Sequence, residues 1–267
     1  MKDDAMLYGE ERKKQIIELV NQNGRASVQD LSASFQVSES TIRRDLKELE
    51  EERKIKRAHG GAVSLQSVNF EPSVTEKEVR YKSEKRAIAQ LAATFIEDGD
   101  TILIDSGTTT IHLIPELKSF TDITVVTNSL LIAQELQLNE GIDVIVLGGS
   151  LRRETQSLVG PVTNKALHMI RVDKGFIATN GLDLEEGLTT PNLIEAETKY
   201  HMMQAAKQVL VLTDHSKVGK VSFAKVAGLQ DIDACITDSG VPNHMVQQLE
   251  EQGVDMHIVN AIGEGTT

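Results

Sequence analysis

The chain has 267 residues, 40% apolar and 25% charged, with net charge −12; that is enough apolar sequence for one large core plus a small one, and it excludes a disordered chain. A single cysteine, Cys235 in the apolar run "DACITD", excludes an intrachain disulfide framework and a cysteine metal site, and the seven histidines show no H-E-x-x-H or similar spacing. The acidic total argues against nucleic acid, yet residues 1–63 hold 12 Lys and Arg against 12 Asp and Glu, so the rest of the chain carries the whole excess.

In chain order, "MKDDAMLYGEERKK" lacks the apolar stretch of a signal peptide, and no run approaches about 18 consecutive apolar residues. A cytoplasmic protein with no membrane partner, no cofactor and no metal is expected. Ile16, Ile17, Leu19 and Val20 stripe a first helix that Asn23-Gly24 ends. Ser27, three residues before Asp30, starts a second helix carrying Val28, Leu31 and Phe35 inward. Ser38 is the N-cap of a third, with Ile42, Leu46 and Leu49 facing the core. Its other face presents Ser40, Thr41, Arg43 and Arg44.

"IKRAHGGAV" follows as a hairpin, with Lys56 and Arg57 on one arm and His59-Gly60-Gly61 at the turn. An arginine pair alone is more often a solvated helix face than a binding surface. Three short helices, a capped third helix and a basic hairpin, in that order, favour DNA: a recognition helix enters the major groove N-terminus first, and Arg forks suit guanine O6 and N7. Ser38, Ser40, Thr41, Arg43, Arg44, Lys56, Arg57 and His59 are the candidate DNA contacts. "SVQDLSASFQVSESTIRRDLKELEEERKIKRAHGGAV" resembles the winged helix-turn-helix of the DeoR family of bacterial transcriptional regulators, most specifically in "STIRRDL" and "RAHGGA".

Residues 64–75 are polar, contain Pro72 and read as a linker between a DNA-binding domain, 1–63, and a larger domain, 76–260. After a helix carrying Ile88, Leu91, Ala92 and Phe95, the runs "TILID", "ITVVT", "DVIVLGG", "GFIAT", "VLVLTD" and "ACITD" alternate with helical stretches at 111–117, 130–138, 163–170, 195–208 and 244–252. Short Ile/Val-rich runs of this kind predict a mainly parallel sheet covered on both faces, an α/β domain.

Ligands of such sheets lie beyond the carboxyl ends of the strands. There the sequence places Asp105, then Ser106, Gly107, Thr108, Thr109 and Thr110 entering a helix, a turn suited to an anion. It also places Asn128, Gly148-Gly149, Asn180, Asp214 and Lys217 at other strand ends. No G-x-x-x-x-G-K-[ST] run is present, so a small phosphorylated ligand fits better than a nucleotide. Each turn alone is a cap about as often as a site; together they suit a hydroxylated anion.

"DGDTILIDSGTTT", "VVTNS", "LGG", "LVGP" and "TDHSKVG" are similar to the DeoR-type sensor domain. That resemblance implies a fold related to ribose-5-phosphate isomerase and a phosphorylated sugar or polyol effector. It implies Ser106 to Thr110 as the phosphate seat, with Asn128, Asn180, Glu195 and Lys217 as further contacts. Glu195, Glu197 and Lys217 keep an isomerase-like enzyme as the alternative. Asn180 stands where the isomerase pattern has acid, with Asp183 further on, which favours binding without turnover. A pure assembly module is the third reading. The expected partners are operator DNA, the effector, and further copies of the chain as a homodimer or homotetramer.

Overall fold

The computed structural model describes residues 9–58, 60–64, 73–139 and 141–260; the chain divides into two compact units, Met1–Phe70 and Glu71–Thr267. His59 lies outside the described residues.

The smaller unit runs α1 (Gly9–Asn23), β1 (Arg25–Ser27), α2 (Val28–Phe35), α3 (Glu39–Glu51), β2 (Lys56–Ala58) and β3 (Gly61–Val63). The Ser27 hydroxyl accepts the Asp30 N–H at 3.0 Å and Ser38 that of Thr41 at 3.2 Å. Both helices thus start at their serines, where the free N–H groups of a first turn need acceptors. Ile16, Val20, Val28, Leu31, Ile42, Leu46, Leu49, Ile55 and Ala62 form one core. β3 pairs antiparallel with β2 and, on its other edge, with β1, which is too short for periodicity to reveal. A Cβ on Gly61 would strike the Ala26 carbonyl, so that crossing demands glycine.

The larger unit continues with α4 (Val74–Glu78), α5 (Lys82–Ala93), β4 (Thr101–Ile104), α6 (Ile114–Leu117), β5 (Ile123–Thr127), α7 (Leu130–Leu136) and β6 (Ile142–Val146). Then come β7 (Ser150–Arg152), β8 (Ser157–Val159), α8 (Pro161–His168), β9 (Val172–Ala178), β10 (Gly181–Asp183), β11 (Gly187–Thr190) and α9 (Leu193–Ala205). Last are β12 (Ala206–Leu212), β13 (Ala224–Ala227), β14 (Ala234–Asp238), α10 (Asn243–Glu251) and β15 (Asp255–Val259).

Seven strands form a wholly parallel sheet in the order β15-β14-β12-β9-β4-β5-β6. Alternation along β4 shows how both faces are buried: Ile102 and Ile104 join Ile88, Leu113, Leu117 and Ile132 on one side. Leu103 joins Leu167, Met202, Met203, Leu182 and Leu188 on the other. That second face is covered by α8, α9 and a small antiparallel sheet ordered β10-β11-β13.

The helices of the larger unit differ from the sequence expectation at their ends, α8 starting and ending two residues early and α7 ending two early; two of the differences have a local cause. The stretch 111–117 opens with a 3₁₀ turn, Thr110–Leu113, before α6, whose start takes Pro115. The helix expected over 195–208 begins two residues earlier, because the Asn192 side chain accepts the N–H groups of Ile194 and Glu195 at 3.0 and 3.1 Å. It ends at Ala205, where the β12 run takes over. Cys235 is fully buried in β14, and burial pushes its thiol up to about 12. Among the described residues no helix is long and apolar enough to cross a membrane.

Candidate DNA-reading helix and ligand site

Helix α3 is anchored from its inner face. The Arg12 guanidinium of α1 grips the Asp45 carboxylate through Nε at 2.6 Å and Nη2 at 3.2 Å, with both residues buried. Asp45 sits inside "STIRRDL", between the arginines and the core, so this part of the motif holds the helix in place. Lys13 reaches Glu48 at 3.0 Å and also Glu10, and these carboxylates raise its pKa.

On the outer face, Ser38, Ser40 and Thr41 share hydroxyl hydrogen bonds of 2.7 and 2.9 Å around the helix start. Arg43 is exposed and pairs with Glu39 at 2.7 Å; Arg44 is exposed with no ion-pair partner among the described residues. Arg57 of β2 donates its backbone N–H to Glu50 at 3.0 Å, which ties the hairpin to α3, and Lys56 lies beside it half-buried. The structure therefore brings Ser38, Ser40, Thr41, Arg43 and Arg44 onto one helix end, with Lys56 and Arg57 on the neighbouring hairpin.

At the carboxyl end of β4, Asp105 is fully buried and Ser106, Thr109 and Thr110 nearly so. The Thr110 hydroxyl donates to the Asp105 carbonyl at 2.6 Å, so the loop folds back on its own start. Gly107 lies against β9; a Cβ there would collide with the Ala178 methyl. The Ser106 N–H donates to Asn128 Oδ1 at 3.0 Å, and the Asn128 amide in turn donates to the Leu158 carbonyl of β8 at 3.2 Å. Asn128 thus shapes the loop through hydrogen bonds to it. The buried Ser106 hydroxyl has no partner among the described residues, a group whose burial is costly until something accepts or donates to it. Thr108 is half-buried at the crown of the loop. Asn180, after β9, is half-buried and accepts from the Thr190 hydroxyl at 3.2 Å.

Sequence reasoning missed the two cations that organise this end of the sheet. Lys199 of α9, 2% exposed, donates to Asp105 Oδ2 and to the Ala178 carbonyl at 3.0 Å, and lies 3.8 Å from Glu195. Glu195, 3% exposed, pairs with Arg152 of β7 at 2.8 Å. The result is a chain of alternating charge, Arg152, Glu195, Lys199, Asp105, with the last carboxylate also accepting the Ala178 N–H at 3.1 Å. "EAETK" holds the only available signal: Glu195 and Lys199 are four apart on a helix face that turns inward.

Lys217 follows β12, two strands along the sheet from β4. It closes a 3₁₀ turn, His215–Lys217, in which Asp214 Oδ1 accepts the Ser216 N–H at 3.1 Å and Asp238 Oδ1 the His215 N–H at 2.8 Å. Facing it is Lys85 of α5, 2% exposed, which donates to the Lys77 carbonyl of α4. Burial pulls its pKa down to about 8 against the opposing attraction of Asp214, and Lys217 and Lys77 push the same way as burial. Burial likewise lowers His112, with Lys85 the next cause. The described residues contain no group of three or more His, Cys, Asp or Glu placed to hold a metal ion.

Residues 12–68 match the DeoR-like helix-turn-helix domain and residues 80–239 the DeoR C terminal sensor domain. The chain is 39% identical over 249 residues to the uncharacterized HTH-type transcriptional regulator YulB of Bacillus subtilis, covering 93% of this chain and 96% of that one. It is 41% identical over 244 residues to the HTH-type transcriptional regulator GlpR of Haloferax volcanii, covering 91% and 95%. Among solved structures, ribose 5-phosphate isomerase A of Methanocaldococcus jannaschii aligns at 18% identity over 50% of this chain and 53% of that one, with a TM-score of 0.38, too distant a likeness to carry an argument. Two domain matches in the right order and relatives aligned over nearly their full length settle the family: the chain is a transcriptional regulator of the DeoR family.

Proposed function

We propose that this regulator is a cytoplasmic repressor of a carbohydrate-use operon whose affinity for operator DNA is set by a phosphorylated sugar or polyol. Residues 1–63 read DNA, 64–75 connect, and 76–260 sense the ligand. In this reading the exposed end of α3, with Ser38, Ser40, Thr41, Arg43 and Arg44, enters the major groove. Lys56, Arg57 and His59 serve the wing. Two copies bind paired half-sites.

The observation that carries the sensing part is the β4 loop: a buried, unpartnered Ser106 hydroxyl on a tight Gly107 turn that opens a 3₁₀ turn, at the carboxyl edge of a parallel sheet. Ser106 to Thr110 hold the phosphate, Asp105 and Asn128 fix the loop, and Asn180 and Lys217 face the rest of the ligand. The ligand weakens DNA binding by preferring the arrangement in which the paired helices no longer match the half-sites, and only that difference in affinity can drive release.

The test is DNA selection from a randomised duplex library, followed by binding of the selected site across a panel of pentose, hexose and polyol phosphates, with turnover assayed in the same samples. One compound that alters DNA affinity without being consumed is the expected result; consumption would make the domain an enzyme. Arg44→Ala should weaken binding of the selected site while leaving ligand affinity alone, and Thr109→Ala should blunt the ligand response alone.

A further inference from the structure

The hairpin β7–β8 is joined to the β4 loop by two independent routes. Through the backbone, Leu158 donates its N–H to the Asn128 carbonyl at 2.8 Å and accepts from the Asn128 amide at 3.2 Å, while Asn128 Oδ1 holds the Ser106 N–H at 3.0 Å. Through side chains, Arg152 meets Glu195 at 2.8 Å, Glu195 lies 3.8 Å from Lys199, and Lys199 holds Asp105, the neighbour of Ser106. The contacts close a ring that starts and ends on the same loop.

Three members of the charge chain lie at 0–3% exposure, whereas the Arg152 side chain keeps 13% of its surface in contact with solvent. No lysine or arginine occurs in the loop itself, residues 105–111. A side-chain cation paired with an anion seated there must therefore come from elsewhere in the fold, and the ring ties one to the hairpin, Arg152.

We propose that the hairpin is the second wall of the ligand site and that Arg152 is its anion-reading residue, held by Glu195 until the ligand's anionic group takes its guanidinium. The inference rests on the reading of residues 106–110 as the anion seat. The exchange is feasible because Glu195 keeps Lys199 beside it, so its buried charge retains a counter-ion when Arg152 turns to the ligand. A planar fork matches a phosphate edge with two hydrogen bonds, which a lysine ammonium does not reproduce. Glu195 is then the competitor of the ligand, a different role from the direct contact that the family resemblance suggests.

Two variants with opposite expected signs test this in the full-length protein, by calorimetric titration with inorganic phosphate, glycerol phosphate and the pentose and hexose phosphate panel. Arg152→Lys, which keeps the charge, should weaken the best binder about tenfold, the factor associated with a lost charge-assisted hydrogen bond. Glu195→Gln, which keeps the shape and removes the competing charge, should tighten it several-fold. If the wild type binds a sugar phosphate but Arg152→Lys binds it equally, or Glu195→Gln weakens it too, the exchange is overturned and the hairpin is structural. If the wild type binds none of the panel, the sensing reading itself falls, and this inference with it.

Discussion

In α3 of the smaller unit, Arg43 and Glu39 meet at 2.7 Å with 59% and 42% of their side chains in water. In the larger unit, Glu195, Lys199 and Asp105 form comparable pairs with almost none. The chemistry is the same and the consequences differ. An exposed pair is rearranged at little cost, which suits a surface that must trade partners with a nucleic acid. A buried chain of charge costs much to break, so it suits a scaffold that presents one geometry to a ligand and resists all others.

Four single substitutions, one pH profile and one double-mutant cycle break or sharpen this contrast. The largest effect is expected for Lys199→Met, which leaves Asp105 and Glu195 facing each other without their shared cation: about 3–5 kcal/mol lost in denaturant unfolding of the larger unit. A loss below about 1 kcal/mol would place the chain with surface pairs.

Lys85 extends the contrast into pH. Its folded pKa, about 8, lies below the ordinary 10.5, so between these values the unfolded chain holds more protons and stability rises with pH. The difference across that window is on the order of 3 kcal/mol. It is absent below about pH 8, where the lysine is charged in both states and the full burial cost applies. Lys85→Met should flatten the rise in thermal unfolding measured across the window; an unchanged slope would assign it to other groups.

Gly107→Ala should cost about 1–3 kcal/mol through overpacking against Ala178 and should lose ligand response with it. Ser38→Ala should cost about 1 kcal/mol, read as unfolding of the smaller unit, because one helix-start N–H loses its acceptor. Smallest of all, a double-mutant cycle on Glu39 and Arg43 should return a coupling of about 0.3–0.5 kcal/mol that fades in salt. A coupling above about 2 kcal/mol would mean that the exposed helix end is as rigidly paired as the buried chain.

What was legible in the sequence follows the range over which each signal acts. Ser27 and Ser38 announce their helices because capping is decided within three residues. The Ile/Val runs of β4, β5, β9, β12 and β14 announce the sheet because strands buried on both faces need unbroken apolar sequence; β6, at the sheet edge with Ile145 and Val146 exposed, carries the same composition without that burial. β15, "DMHIV", was overlooked because its edge position lets His257 interrupt the run. The hairpin β7–β8 and the strands β10, β11 and β13, three or four residues each, are shorter than any period can register.

The charge chain was out of reach for a different reason. Arg152 lies 43 residues from Glu195, and Lys199 lies 94 from Asp105, so only the sheet order and the placement of α9 bring them together. Asp105 illustrates the cost of reading one strand end at a time: from the sequence it is one more polar group beside the loop, whereas in the fold its Oδ2 is committed to Lys199 and to β9.

The burial of Cys235 has a practical consequence. The chain's one thiol sits in the middle of the sheet with its pKa pushed up to about 12, so at neutral pH almost none of it is thiolate and solvent cannot reach it. A cysteine introduced at an exposed position, such as Lys47 on the outer side of α3, would then be the single reactive sulfur in each copy. In the proposed pairing of two copies, a spin label or dye attached there would report the distance between their α3 helices directly. The native protein is in effect already a background-free carrier for spectroscopic rulers, and the spacing that the proposed mechanism makes responsive to ligand becomes a length that can be read in solution, with and without it.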